Sequence, residues 1–291
     1  MHLEALGCRA QWWFEHQLNH PVLGYGQVRE ALLAGPDSFR RAMAAAHDGW
    51  AGLAARDGVA DETVLLESTL FQTTLGTQLL MDWPRDEILA HFARTAALVA
   101  PLEPHLIHLR PADVAQALRT ACERRGPWFL DFLQTEFAAT PRGRRVGRAD
   151  LAALLDYFSE RRELSDELCR RLPGPVLVHD NADADWARQR RAITDWLGLP
   201  PIRPAPPPAR PEQYAGVFRA ATGEEWRIVA QAEGLQLEGD SPARLLPHGP
   251  DRFLIEALCV ELRFRRGPEG AVEAIECTAD LPDLPGTWIK T

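Results

Sequence analysis

The stretch PHLIHLRPADVAQALRTACERRG, residues 104–126, decides the fold class. Its first part, LIHL at 106–109, is a short apolar run of the β type, and the remainder, PADVAQALRTACERRG, carries a helical pattern. Three further runs pass into helical patterns in the same way: RAQWWF (9–14), TVLLE (63–67) and VLVH (176–179). The intervening helical segments are DSFRRAMAAAHDGWAGLAARDG, PRDEILAHFARTAALVAP, RADLAALLDYFSERRELSDELCRRL and DWARQRRAITDWLGL. Near-continuous apolar strands separated by long helices are what a parallel sheet covered on both faces requires. The expectation for this part is therefore α/β, a doubly wound, mostly parallel sheet.

A proline-dense run, GLPPIRPAPPPARP at 198–211, excludes regular helix and favours an extended spacer. It divides the chain into an α/β domain over 1–199, a linker over 200–211 and a small antiparallel β domain over 212–291. The last part offers about six short strands, with VELRFRRGPEGAVEAIEC forming a hairpin around Gly267–Gly270.

Composition narrows the function. The chain has 291 residues, 46% of them apolar, and a net charge of −9, which disfavours a phosphate-backbone binder, so nucleic acid is not an expected partner. Cys8, Cys122, Cys169, Cys259 and Cys277 are odd in number and widely spaced, without the C-x-x-C signature of zinc or redox pairs. They read as reduced cytosolic thiols. No 18-residue apolar run and no basic-then-apolar leader occurs, so the reading is cytoplasmic, with no membrane partner.

In open α/β sheets ligands bind beyond the carboxyl ends of the strands. There the sequence places EHQLNH, ESTLFQ, RPADV and DNADADW. Acids at two strand ends suit a magnesium-dependent phosphoryl transferase, one holding the metal's water shell and one taking a proton from an acceptor hydroxyl.

The ordered set WWFEHQLNHP, VLLESTLFQ, PHLIHLRPADVAQALRTACERRG and PVLVHDNADADW…ITDWLGL resembles the P-loop nucleoside and nucleotide kinase-like family, in a bacterial branch of uncharacterised members, over roughly residues 3–199. The resemblance implies ATP and magnesium, a small hydroxylated or nucleotide-like acceptor, and a first strand followed by a G-x-x-x-x-G-K-[ST] loop. That loop does not occur: GYG at Gly24–Gly26 has no lysine after it, and Lys290 is the only lysine of the chain. Met1 to Gly7 reads as the tail of the helix behind such a loop. The expectation is that about 20–30 residues encoding the strand, the loop and the helix start precede Met1, and that the chain as it stands binds ATP poorly. The alternative is a degenerate, non-catalytic kinase-like protein that binds a ligand or a partner.

Carried over residue by residue, the resemblance makes Glu15 the base for the acceptor hydroxyl and Glu67 the acid that positions magnesium or its water. A solvated loop glutamate and an ordinary strand exit are the plain alternatives for these two. Gln72 would hydrogen-bond a base or sugar. His16 and His20 would touch substrate or simply pack; zinc and haem are not expected. Arg119 and Arg125 would be the lid residues over the transferred phosphate, with Arg124 touching substrate and Arg142, Arg144, Arg145 and Arg148 downstream, because guanidinium stays charged and binds phosphate oxygens bidentately. Solvated helix ends would use the same residues. Asp183 or Asp185 caps the helix starting near Trp186. Trp12, Trp13, Trp50, Trp83 and Trp128 read as core or pocket walls.

The C-terminal part, from YAGVF to LLPHGPDRFLIE, resembles a small lipocalin-like β domain appended to some bacterial β-lactamase-like proteins. It shows no nucleophile, base or metal set, so packing, oligomer contact (a homodimer is the option kept) or apolar ligand binding are its expected roles.

Overall fold

The computed structural model describes residues 8–15, 17, 19–56, 62–126, 128–181, 185–201, 206–232, 234–239, 242–255, 260–277 and 286–291. The readings of Met1 to Gly7, His16, Asp183 and Cys259, and of part of the proline-rich run, lie outside these residues. The chain forms two compact units, one made mainly of residues 2–202 and the other mainly of residues 203–291.

The α/β unit has four strands, β1 (Ala10–Trp13), β2 (Thr63–Leu66), β3 (Leu106–Arg110) and β4 (Val176–Asp180). All four fall within the expected runs to about a residue at each end, yet the expected doubly wound sheet does not form. β1 pairs in parallel with β2 and β3 in parallel with β4, as two separate two-stranded sheets. Burial shows the difference: no strand residue of this unit is fully buried, and Leu109 and Val178 are 39% and 43% exposed. A doubly wound sheet would enclose both of its faces. Apolar runs of this length specify strands, whereas which edge pairs with which is set by packing that composition does not encode.

The core lies instead among the helices: α1 (Tyr25–Leu33), α2 (Pro36–Ala54), α3 (Gly76–Leu80), α4 (Arg85–Val99), α5 (Val114–Arg125), α6 (Trp128–Ala139), α7 (Pro141–Val146), α8 (Leu151–Cys169) and α9 (Trp186–Trp196). Along α2 the buried residues Phe39, Met43, Ala46, His47, Trp50 and Leu53 recur every three or four positions, as one helical face requires. They pack with Val28 of α1 and Val99 of α4. A second cluster joins Ile88 and Phe92 of α4 to Leu154, Leu164 and Leu168 of α8, so α4 is shared by both. Its capping signals are sequence-local: Asp113, Asp150 and Asp185 accept from the backbone N–H of Gln116, Ala153 and Arg188, each at 2.9 Å, and start α5, α8 and α9. Trp128 departs from its expected core role, being 60% exposed. At Gly174 (φ 85°) a Cβ would stand 2.2 Å from the Pro104 carbonyl oxygen, so the turn into β4 can lie against the turn into β3 only with glycine there.

The second unit is a closed antiparallel barrel of eight strands rather than about six: β5 (Gly216–Ala220), β6 (Glu225–Gln231), β7 (Gly234–Leu237), β8 (Ala243–Gly249), β9 (Arg252–Ile255), β10 (Val260–Arg266), β11 (Val272–Cys277) and β12 (Thr287–Lys290). Each strand pairs with the next in sequence, and β12 closes on β5 through Trp288 opposite Ala220. The expected hairpin is β10–β11. Period-two alternation sends Val260, Leu262 and Phe264 inward and leaves Arg263 exposed. The interior is filled by side chains such as Phe218, Phe253, Ile255 and Ile275, with Trp226 and Trp288 stacked at 4.1 Å between ring centroids. Tyr214 packs on Phe253 and Phe264, and its hydroxyl donates to Asp251 at 2.8 Å, where Arg266 also binds. Among the described residues no helix is long and apolar enough to cross a membrane.

Trp288 is fully buried and sits at the strand that closes the barrel. Trp288→Ala should lower the barrel's unfolding free energy by about 3–5 kcal/mol in urea. A loss below about 1 kcal/mol would mean that the barrel core is not closed around it.

Candidate functional site

The parallel register of β1 and β2 brings two carboxylates together. Trp13 stands opposite Leu66, and the N–H of Glu67 donates to the Trp13 carbonyl at 3.0 Å, so both chains leave the ribbon at the same end. Glu67 follows β2 at once, and Glu15 follows β1 after Phe14. The N–H of Glu15 points to Glu67 Oε2 at 3.5 Å, and Ser68 Oγ donates to Glu67 Oε1 at 2.9 Å.

The turn after Glu67 is unusual. Ser68 adopts the left-handed conformation (φ 60°, ψ −6°), and the chain then enters a seven-residue π-helix, Thr69–Leu75. Its wide i→i−5 closure is seen in Thr73 N–H to Ser68 O at 2.9 Å. Threonine hydroxyls satisfy its carbonyls, with Thr74 Oγ1 donating to Thr69 O at 2.7 Å and Thr77 Oγ1 to Thr74 O at 3.1 Å. The wide turn presents consecutive residues to Glu15: Gln72 Nε2 donates to both Glu15 oxygens at 3.1 Å each, and Thr73 Oγ1 to Oε2 at 3.3 Å.

These surroundings act on the Glu15 proton. Burial, and then the negative charge of Glu67, push the Glu15 carboxyl up to about 7 from its ordinary 4.5, against the lowering effect of the Thr73, Ser68 and Gln72 donors. A carboxyl with that value exchanges its proton near neutral pH, which is what a general base needs.

His20 braces the same corner. Its Nδ1 accepts from the N–H of Val22 and Leu23 at 3.2 and 3.1 Å, which leaves the proton on Nε2, 3.3 Å from Thr69 Oγ1. Thr69 Oγ1 in turn donates to the Glu67 carbonyl at 3.1 Å. Burial lowers the imidazole to about 4, so it stays neutral and keeps this tautomer. The loop is seated on α2 at Gly49, where a Cβ would lie 2.8 Å from Val22 Cα. At the start of α1, the N–H of Tyr25 donates to the Glu15 carbonyl at 2.7 Å; burial, then Glu136, and more weakly Glu15, push its phenol up.

The structure thus joins Glu15, Glu67 and Gln72, three of the residues singled out in the sequence. The arginines are elsewhere. Arg119 bonds Gln116 on its own helix at 3.0 Å, Arg124 is exposed at the end of α5, and the Arg125 guanidinium lies 4.4 Å from the Phe129 ring. Downstream, Arg142 binds Glu160, Arg145 binds Asp82, and Arg148 lies 2.8 Å from Asp156. None of these touches the carboxylate pair among the described residues. At the other two strand ends, Arg110 pairs with Asp166 at 2.8 Å and Asp180 accepts from the Ala112 N–H at 3.2 Å. The residues that sequence reading missed are Ser68, Thr69 and Thr73; their only signal was the hydroxyl-rich run STLFQTT.

Among the described residues no group of three or more His, Cys, Asp or Glu side chains is placed to hold a metal directly. The pair Glu15 and Glu67 with the Ser68 and Thr73 hydroxyls is an all-oxygen set, whose chemistry suits a hydrated hard cation held through its water shell. Searches against protein-family models and against curated proteins find no match to the sequence.

The folded state holds the Glu15 proton more tightly than the unfolded chain does. The stability this contributes is fully present below about pH 4.5 and is lost as pH rises to about 7. Glu15→Gln should therefore match the wild type at pH 4.5 and exceed it at pH 8 by about 1–2 kcal/mol, solvent screening being allowed for. Urea unfolding at the two pH values checks this; a variant no more stable than wild type at pH 8 would contradict it.

Proposed function

We propose that the α/β unit binds a small hydroxylated or nucleotide-like molecule at the carboxyl ends of β1 and β2 and takes the proton of its reacting hydroxyl onto Glu15. This is the acceptor half of a kinase-like phosphoryl transfer. The observation that carries the reading is the Glu15 carboxyl held near neutrality against Glu67, inside a ring of hydrogen-bond donors.

In this reading the acceptor hydroxyl displaces part of the Gln72 contact and donates to Glu15, whose ionised form takes the proton as the oxygen becomes nucleophilic. Gln72 stays at the rim; its amide oxygen, which has no partner among the described residues, meets a sugar hydroxyl or base N–H. Glu67 keeps Glu15 basic by its charge and would hold magnesium through water, a cation whose contribution is to neutralise phosphoryl oxygens. His20 and Thr69 fix the backbone from which Glu67 projects.

The residues of this chain do not fit ATP. No G-x-x-x-x-G-K-[ST] run is present in the sequence, Lys290 stands on the barrel, and the expected lid arginines are placed away from the pair or bound to protein groups. ATP is accordingly proposed to bind this chain poorly. The same facts, with both oxygens of Glu15 satisfied by Gln72, favour a second reading as a non-catalytic ligand-binding protein. The barrel, with its filled interior, is proposed as a packing or oligomer-contact module, a homodimer being its simplest product. Cys8, Cys122 and Cys169 are free thiols, in keeping with the proposed cytoplasmic setting.

Calorimetric titration of the full chain with nucleosides and small polyols tests the binding claim. Affinity for the cognate compound should rise as pH passes upward through about 7, where Glu15 loses its proton, and Glu15→Gln should weaken it by about tenfold or more and flatten the pH profile. Binding that is indifferent to both pH and the substitution would overturn the assignment of Glu15. A phosphoryl-transfer assay with magnesium and ATP then separates the two readings, since transfer lost in Glu15→Gln by about 10²-fold or more supports the base role.

A further inference from the structure

α2 and α4 meet at a second polar cluster that the carboxylate site does not use. His47 of α2 and His91 of α4 lie with ring centroids 4.2 Å apart and planes at 32°, and both side chains line a groove of about 310 Å³ together with Arg40, Trp83 and Arg94. The histidines are 6% and 8% exposed, so each is more than nine-tenths buried.

These two are only partly satisfied. His47 Nε2 donates to the His91 carbonyl at 3.1 Å, which fixes its tautomer and leaves Nδ1 as a bare acceptor. No hydrogen bond joins His47 Nδ1 or either ring nitrogen of His91 to another group among the described residues, and both residues line the groove. Burial lowers both imidazoles, His91 to about 3 with help from His47 and Arg94. Both are neutral, so the pair offers one acceptor, His47 Nδ1, and one N–H donor from His91. The charges facing the pair are Arg40 and Asp48 from α2 and Arg94 and Glu87 from α4. Arg40 is already bound to Glu87 at 2.6 Å and lies 4.8 Å from the Trp83 ring, where it forms a wall. Arg94 is exposed and carries no ion pair among the described residues.

A metal ion is a poor match, because two guanidinium groups repel it and no third ligand is present among the described residues. A simple carboxylate would satisfy Arg94 and the His91 N–H and leave His47 Nδ1 without a donor. A hydrogen-phosphate group meets all three: anionic oxygens for Arg94 and His91, and one P–O–H to donate to His47. We propose that the groove between α2 and α4 binds a hydrogen-phosphate group, as inorganic phosphate or as a phosphate monoester, through Arg94, His91 and His47. This site is independent of the Glu15 pair and of the function proposed for it.

The test is a titration of the full chain with inorganic phosphate, ribose 5-phosphate and acetate, followed by the ring-proton NMR signals of His47 and His91. Phosphate or the ester at about 10 mM or below should shift both signals, and Arg94→Gln, at an exposed position that leaves the core intact, should weaken the effect about tenfold. Tighter binding of the ester would identify a phosphorylated metabolite, and equal or weaker binding would identify free phosphate; either supports the site. Signals unmoved by both phosphates, moved as much by acetate, or unaffected by Arg94→Gln would overturn it.

Discussion

The α/β unit is organised around one register. Because Trp13 stands opposite Leu66 in a parallel ribbon, two acidic residues emerge side by side where both strands end. An antiparallel pairing, or a slip of one residue, would send one of them to the other end or the other face. Two carboxylates this close repel each other, and the structure answers with donors: Ser68 to Glu67, Gln72 and Thr73 to Glu15. The compensation is incomplete, since burial and the Glu67 charge still raise the Glu15 carboxyl to about 7. A group left near neutrality in this way can exchange its proton at ordinary pH, which is the property the proposed role uses.

The surrounding fold serves that corner. The left-handed Ser68 and the π-helix after it turn hydroxyl and amide groups back onto the strand ends, a conformation that a regular α-helix starting at Thr69 would not give. His20 then links the loop after β1 to the turn after β2 through Thr69, and Gly49 lets that loop seat on α2. α2 is itself anchored by a face of Phe39, Met43, Trp50 and Leu53. The site therefore rests on the helical core more than on a sheet, which is why two short ribbons suffice to position it.

The sequence showed local structure and three residues that the structure brings together, and it failed where pairing is decided at a distance. The runs at 63–67 and 176–179 were legible as strands because β-type apolar residues are bounded by polar ones. Their assembly into one sheet was not, because nothing in TVLLE or LIHL encodes the neighbour across an edge. Glu15 and Glu67 stood out as acids at the ends of strand-like runs, and Gln72 through its place in the segment that follows the second. Ser68 and Thr73 did not, since a π-helix has no period that a sequence pattern displays. The arginines in α5 and its neighbours contact Asp82, Glu160 and Phe129, and such contacts look the same in sequence as a phosphate lid. In the barrel, the alternation along VELRFRR was plain, whereas strands as short as GLQL were too brief to count.

The central claim is that Glu15 and Glu67 form one coupled site at the ends of β1 and β2. The most direct measurement is a carbon-13 NMR titration of the Glu15 side-chain carboxyl, in the wild type and in Glu67→Gln. The account predicts a midpoint near 7 in the wild type that falls when the Glu67 charge is removed, while burial still holds it above the ordinary 4.5. A wild-type midpoint near 4.5, unchanged by the substitution, would mean that the two carboxylates do not share a site.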